Sequence, residues 1–226
     1  EGLESNLCIN CHQGRSSANS VSARIGDIPD DEISDALGFI NIHYFAAGAS
    51  LLGTEAKGAY EYEGQEYVGR NEHVDKYDSC VECHDTHALE VVVENCADCH
   101  DGVEGQESLG NIREGDVDYD GDGDVEEGMK GEIDTMAEAL LAEMQAYAVA
   151  TEGVSPIVYD SHAYPYFFDD AGERYATWTP RLLRAAYNYQ YALKDPGAYA
   201  HNGAYMAQVL YDALNDIGAD TSAMTR

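Results

Sequence analysis

The chain has 226 residues and is strongly acidic, with 12 Lys and Arg residues against 43 Asp and Glu residues and a formal net charge of −31. This charge argues against nucleic acid and anionic membrane surfaces as partners, because both are bound through a basic patch. The negative charge instead favours binding of cations or of a basic redox partner. Hydrophobic residues make up 44% of the chain, which is enough for a buried core. No stretch reaches the roughly 18 apolar residues of a membrane helix.

In chain order, the first feature is a CxxCH pattern that occurs three times and uses all six cysteines. The three copies are Cys8, Cys11 and His12; Cys80, Cys83 and His84; and Cys96, Cys99 and His100. A disulfide framework does not require a histidine after every second cysteine, and a zinc ribbon needs a different arrangement of knuckles. Two thiols at this spacing can form thioethers to one haem while the adjacent histidine binds its iron. The pattern therefore predicts three haem c groups with His12, His84 and His100 as proximal ligands.

The segment between the first two copies, 13–79, is rich in loop-forming residues. Within it, Tyr60, Tyr62 and Tyr67 alternate about a Glu-Gly turn, which predicts a small β-hairpin. Long apolar runs are few before residue 110, so porphyrin is expected to supply much of the interior there. The second and third copies are separated by only the eleven residues of segment 85–95, which predicts that their haems lie almost against each other.

The sixth coordination position of each iron decides what a haem protein can do, because only an open position can bind substrate. The histidines outside the CxxCH copies are His43, His73, His87, His162 and His201. Three of the five would make every haem bis-histidine. His87 follows His84 by three residues and is expected to reach a neighbouring haem. His43 and His73 lie in the segment that wraps the haems. His162 and His201 belong to the C-terminal part. With five candidate histidines for three irons, the sequence favours bis-histidine haems whose sixth coordination position is filled.

An acidic stretch, 116–128, follows the haem motifs, with carboxylates at alternate positions and glycine for a sharp turn. This pattern is typical of the start of an EF-hand-type calcium loop. The favoured register begins at Asp118 and takes as ligands Asp118, Asp120, Asp122, Asp124 and the later acid Glu132. A second register runs from Asp116 to Glu127. A solvated acidic linker is the alternative to both.

The remainder of the chain lacks cysteine and is predicted to be helical. One amphipathic stripe consists of Ile133, Met136, Ala137, Leu140, Leu141 and Met144, whose methionines are expected in the core rather than on iron. A second helix is predicted from the cap at Thr179 and Pro180 to Asp195-Pro196-Gly197. A third carries Val209 to Ile217 and stops at Gly218. The predicted division is a triheme domain at 1–115, a calcium-type loop at 116–128 and a helical domain at 129–226.

Long segments of the chain resemble multihaem c-type cytochromes of metal-reducing bacteria and archaea, including subunits of extracellular cytochrome nanowires. The segments are "CHQGR", "NIHYFAAGASLLGTEAKGAYEYEGQEYVGRNEHVDKYDSCVECHDTH", "HAYPYFF" and "WTPRLLRAAYNYQYALKDPGAYAHN". The resemblance implies a mostly irregular and α-helical fold with a loop-rich haem-wrapping N-terminal half, bis-histidine haems and electron transfer. It also implies polymerisation into a conducting filament, in which one subunit supplies a histidine to the next.

Export is expected because haem is attached to CxxCH outside the cytoplasmic membrane. The first residues carry no basic-then-apolar signal, so a signal peptide is predicted to have been removed from a periplasmic or extracellular protein. The main hypothesis is an electron conduit and not an enzyme, as the subunit of a conducting filament or as a soluble carrier. A multihaem oxidoreductase acting on a small nitrogen or sulfur oxyanion is the alternative, but no variant motif such as CxxCK marks an open haem.

A head-to-tail assembly is predicted from the C-terminal half, since a heterologous contact that does not close into a ring generates a filament. Tyrosine is enriched at protein interfaces. The tyrosines considered for the contact are Tyr187, Tyr189, Tyr191, Tyr199, Tyr205 and Tyr211, with packing of the domain's own core as the alternative. His43, His162 or His201 is predicted to be the ligand supplied across the junction.

Overall fold

A computed structural model describes residues 3–74, 77–113 and 115–226. The helices in these ranges are α1 (Leu3–His12), α2 (Ala18–Ile25), α3 (Ala47–Leu52), α4 (Cys80–Cys83), α5 (Val93–Ala97), α6 (Met129–Ala150), α7 (Pro180–Leu193) and α8 (Ala198–Ile217), with 3-10 turns at Gly53–Glu55 and Gln106–Asn111. Two antiparallel hairpins join β1 (His84–Asp85) to β2 (Glu90–Val91) and β3 (Val158–Tyr159) to β4 (Phe167–Phe168). The mostly helical, loop-rich fold is thus confirmed. None of the described helices combines the length and apolar character that a bilayer crossing demands.

The three long C-terminal helices predicted from periodicity are present and form the centre of the core. Met136, Leu140 and Met144 on α6 are completely buried, which confirms that these methionines serve packing. Helix α7 begins where Thr179 Oγ1 accepts the backbone N–H of Leu182 at 3.2 Å. Helix α8 begins at Ala198, earlier than the apolar stripe from Val209 to Ile217 suggested.

The C-terminal tyrosines mostly fill this core. Tyr187, Tyr191 and Tyr205 are at most 1% exposed and Tyr189 is 7% exposed. The hydroxyl of Tyr187 donates to the carbonyl oxygen of Gly58 at 2.8 Å, which satisfies its polar end inside the protein. The prediction that these four tyrosines form an interface is therefore wrong, because their rings are already used within the chain.

Segment 13–79 contributes apolar residues to the same core. Val21, Ile42, Ala49 and Ala59 are all at most 2% exposed and belong to the cluster formed with α6, α7 and α8. The expectation that porphyrin supplies the interior before residue 110 is therefore wrong for this part, whose apolar residues pack on the helices. In contrast, no residue is fully buried in 60–74 and 77–108, which contain the second and third CxxCH copies.

The hairpin predicted around Tyr60 to Tyr67 is absent from the structure. Its turn forms, with the N–H of Gln65 donating to Tyr62 O at 3.2 Å, but the flanking residues are not strands. The reason is that their backbone groups bond to helix side chains instead of to each other. Asn188 accepts the N–H of Tyr60 at 2.8 Å and donates to its carbonyl oxygen at 3.0 Å.

Candidate haem centres and acidic loop

The CxxCH motifs lie on short helical segments. The first ends α1, the CxxC of the second is α4 itself, and Cys96 of the third lies in α5. Residues three apart on a helical turn share a face, so the two cysteines of the first motif and those of the second lie on one side of their helices, whereas Cys99 of the third motif lies in the turn after α5. None of the six cysteines forms a disulfide.

The second and third motifs are held directly together. The N–H of Val92 donates to Cys83 O at 2.9 Å, and the Asn95 side-chain amide donates to Glu82 O at 2.9 Å. Burial raises the pKa of the Cys83 thiol, and the nearby Cys96 adds to that shift. The short connection therefore does bring the two motifs side by side.

The first motif is joined to the second. The N–H of Cys80 donates to the hydroxyl of Ser5, a buried residue of α1, at 3.2 Å. Hydrogen bonds thus connect the first motif to the second and the second to the third.

Two proximal histidines face a second histidine. The ring centroids of His84 and His201 are 6.4 Å apart with 35° between the ring planes. Those of His100 and His73 are 6.1 Å apart with 51° between the planes. Burial lowers the pKa of His84, and the charges of His201 and His12 lower it further.

These separations match the spacing of two axial ligands on one iron. A metal–imidazole nitrogen bond is about 2 Å long, and the ring centroid lies about 1 Å behind that nitrogen, so two imidazoles on opposite sides of one metal have centroids about 6 Å apart. The described donors therefore fit a haem iron at the second and third motifs.

Two of the histidines have their Nδ1 atoms fixed by acceptors. His12 Nδ1 donates to the carbonyl oxygen of Phe45 at 3.0 Å. His201 Nδ1 donates to the carboxylate of Asp195, with distances of 2.8 and 3.0 Å to its two oxygens. Such bonds orient a ligand ring and leave Nε2 for the metal. His201, which periodicity and spacing did not distinguish from His162, is thus recognisable by its buried carboxylate partner.

His43, His87 and His162 are exposed. The His43 ring packs on Tyr44, with centroids 4.1 Å apart, and His87 lies on the β1–β2 turn. The side chain of His162 is 94% exposed. Within the described ranges, no ring contact joins any of these three, or His12, to another histidine.

The acidic loop brings its carboxylates together in two overlapping groups. The oxygens of Asp118, Asp120 and Glu132 lie within 4.8 Å of one another, as do those of Asp120, Asp122 and Glu127. Asp124 is exposed and accepts the backbone N–H of Glu126 at 2.9 Å. The loop therefore brings together four of the five acids of the favoured register, and it also includes Glu127, the last acid of the second register.

The two glutamates of the loop differ in their hydrogen bonds. Glu132 is completely buried, pairs with Arg113 at 2.7 Å and accepts the N–H groups of Tyr119 and Asp120 at 2.9 Å. By contrast, Glu127 Oε1 and Asp120 Oδ2 are buried without a hydrogen-bond partner among the described residues. Burial, together with the charge of Asp120, raises the pKa of Glu127 to about 7. These two oxygens have acceptor capacity that a cation would use.

Comparison with known proteins gives the same family as the motifs. "C-type polyheme cytochrome OmcB" of Geobacter sulfurreducens, matched in two strains, is 27% identical over 255 residues, covering 94% of this chain and 31% of OmcB. "C-type polyheme cytochrome OmcC" of the same species is 24% identical over 267 residues, covering 94% of this chain and 30% of OmcC. The chain thus spans about a third of the length of these relatives. No family model and no solved structure matches it. The chain is thus similar to multihaem c-type cytochromes over 94% of its length, and it carries three CxxCH motifs that use every cysteine.

Proposed function

We propose that this chain transfers electrons through three covalently bound c-type haems. The ligands are His12 for the first haem, His84 with His201 for the second, and His100 with His73 for the third. The observation that carries the proposal is the pair of histidine–histidine separations, 6.4 and 6.1 Å, each involving one CxxCH histidine. When bound, a haem iron accepts and releases single electrons.

An electron carrier suits this ligand set better than an enzyme. Two imidazoles on one iron occupy both axial positions and leave none for substrate. The polyhaem nature of OmcB and OmcC supports the same function. Covalent haem attachment supports an exported protein, in the periplasm or outside the cell.

The haem count is the first test. We expect the intact mass of the purified protein to exceed the polypeptide mass by three haems, and replacement of Cys83 by Ala to weaken attachment only at the second motif. A Glu152→Ala variant, at an exposed position far from the motifs in sequence, should retain all three. A mass corresponding to two or fewer haems in the wild-type protein would contradict the proposal.

The ligand set of the first haem supports a head-to-tail polymer, because no ring contact among the described residues pairs His12 with another histidine of the same chain. His201 faces His84 within the same chain, which leaves His43 and His162 as the predicted histidines that a junction can use. Both are exposed, and a second copy of the chain can therefore approach either one. We propose that one of them completes the ligand set of His12 in a neighbouring subunit.

Assembly is tested by negative-stain imaging of the native protein. We expect filaments at high concentration, and their loss in either His43→Ala or His162→Ala, while His87→Ala should still form them. Monomers alone at every concentration, with three fully low-spin haems, would instead indicate a soluble carrier.

We further propose that the acidic loop binds calcium through Asp118, Asp120, Asp122 and Glu127. The buried, unpartnered oxygens of Asp120 and Glu127 support this, because calcium prefers six to eight oxygen ligands. Asp124 and Glu132 were predicted as ligands, and the bonds that Glu132 makes to Arg113 and to two backbone N–H groups suit a role in holding the loop.

A further inference from the structure

We infer that Asp195 is a positioning residue for His201 and lowers the reduction potential of the haem at the second motif. The inference rests on the proposed ligation of that haem by His84 and His201. It adds a specific residue that makes one haem electrostatically different from the other two.

Asp195 is placed to bond directly to His201. It is 2% exposed and lies in the short connection between α7 and α8. Both of its carboxylate oxygens are within 3.0 Å of His201 Nδ1. Within the described ranges, no other side chain bonds to this carboxylate. A buried carboxylate costs free energy unless it is paired, so its position is explained by the histidine.

The His201 ring also packs closely against the backbone at Gly197. The backbone N–H of His201 donates to Gly197 O at 2.9 Å at the start of α8. A side chain at Gly197 would place its Cβ 2.8 Å from the Cε1 atom of the ring, so glycine is required for the ring to pack there. The imidazole is therefore held on one side by Gly197 and at Nδ1 by Asp195.

The charge of Asp195 should favour the oxidised iron. The ferric state carries one more positive charge than the ferrous state, and a buried negative charge interacts strongly with it because the surroundings have low polarisability. A carboxylate acceptor also increases the basicity of a ligating imidazole. His12 provides the internal comparison, since its Nδ1 donates to a neutral backbone carbonyl.

The test is Asp195→Asn, which keeps the shape and an acceptor oxygen but removes the charge. The matched control is Asp212→Asn, because Asp212 is also buried, at 4% exposure, and bonds to Tyr67 and Arg226 rather than to a histidine. Potentials of the three haems are measured by spectroelectrochemical titration, and axial ligation by EPR of the ferric protein. We expect one haem in Asp195→Asn to change its ferric-to-ferrous ratio at least tenfold toward ferrous, which is a rise of about 59 mV for one electron. Its EPR g-values should change, with no high-spin signal beyond that of the wild-type protein at the same concentration.

Potentials in Asp195→Asn equal to those of wild type would overturn the inference. If that variant loses haem, Asp195→Ser, which keeps an acceptor without the charge, is judged by the same criterion. Asp195→Glu should restore the wild-type potential, and a rise there equal to that in Asp195→Asn would also overturn the inference. Failure of the underlying ligation is distinguishable, because His201→Ala would then produce no high-spin iron.

Discussion

Replacement of His201 by Ala is expected to convert one haem of the three from low-spin to high-spin in the ferric protein. The second haem would lose the imidazole that faces His84 at 6.4 Å, and its iron would keep only one nitrogen ligand outside the porphyrin. The change is measured by EPR and by the optical charge-transfer bands of the oxidised protein.

The matched control is His87→Ala. His87 lies three residues after His84 on the β1–β2 turn, but among the described residues no ring contact joins it to a CxxCH histidine, as ring contacts join His201 and His73. Its replacement should therefore leave the wild-type spin state. High-spin iron in His87→Ala with none in His201→Ala would show that the second haem takes its ligand from the nearer histidine, and the assignment from ring geometry would be wrong.

Calcium is expected to stabilise the protein through Glu127. A ligand at a hundredfold excess over its Kd stabilises the native state by about 2.7 kcal/mol, which raises the unfolding midpoint of a chain of this size by about 5–10 °C. Glu127→Gln should lose most of this calcium-dependent rise, because its buried Oε1 is unpartnered and available to the cation. The measurement is calorimetry with added calcium or with chelator.

Two neighbouring variants sharpen the calcium experiment. Glu126→Gln changes an exposed side chain and should keep the full rise. Glu132→Gln should lower the midpoint with or without calcium, because it weakens the buried pair with Arg113. If chelator leaves the wild-type midpoint unchanged, the acidic stretch is a solvated linker.

The helical part of the fold was predictable because its information is local. The apolar stripe containing Met136, Leu140 and Met144, and the capping residues Thr179 and Gly218, are visible at short spacing. The false hairpin near Tyr60 shows the limit of this approach. Its backbone partner, Asn188, is 128 residues away, and no local pattern reveals such a bond.

The candidate site also contains residues that local sequence predicts and residues that only the fold brings together. The proximal ligands were predicted from five-residue motifs, whereas the pairing of His84 with His201 and of His100 with His73 depends on tertiary packing. Spacing drew attention to His87 because it is close to His84 in sequence. The ring contact with His84 and the bond to the buried carboxylate of Asp195 distinguish His201 instead, and neither is visible without the fold.

The most direct test of the central claim is quantitative EPR of the oxidised wild-type protein, carrying its full haem complement and concentrated enough for copies to associate. We expect low-spin bis-histidine signals to represent all of the iron. Two haems should remain low-spin after dilution, because their ligand pairs, His84 with His201 and His100 with His73, lie within one chain. A high-spin signal that persists in the concentrated protein would instead indicate an open haem able to bind substrate, and the proposed electron conduit would be wrong.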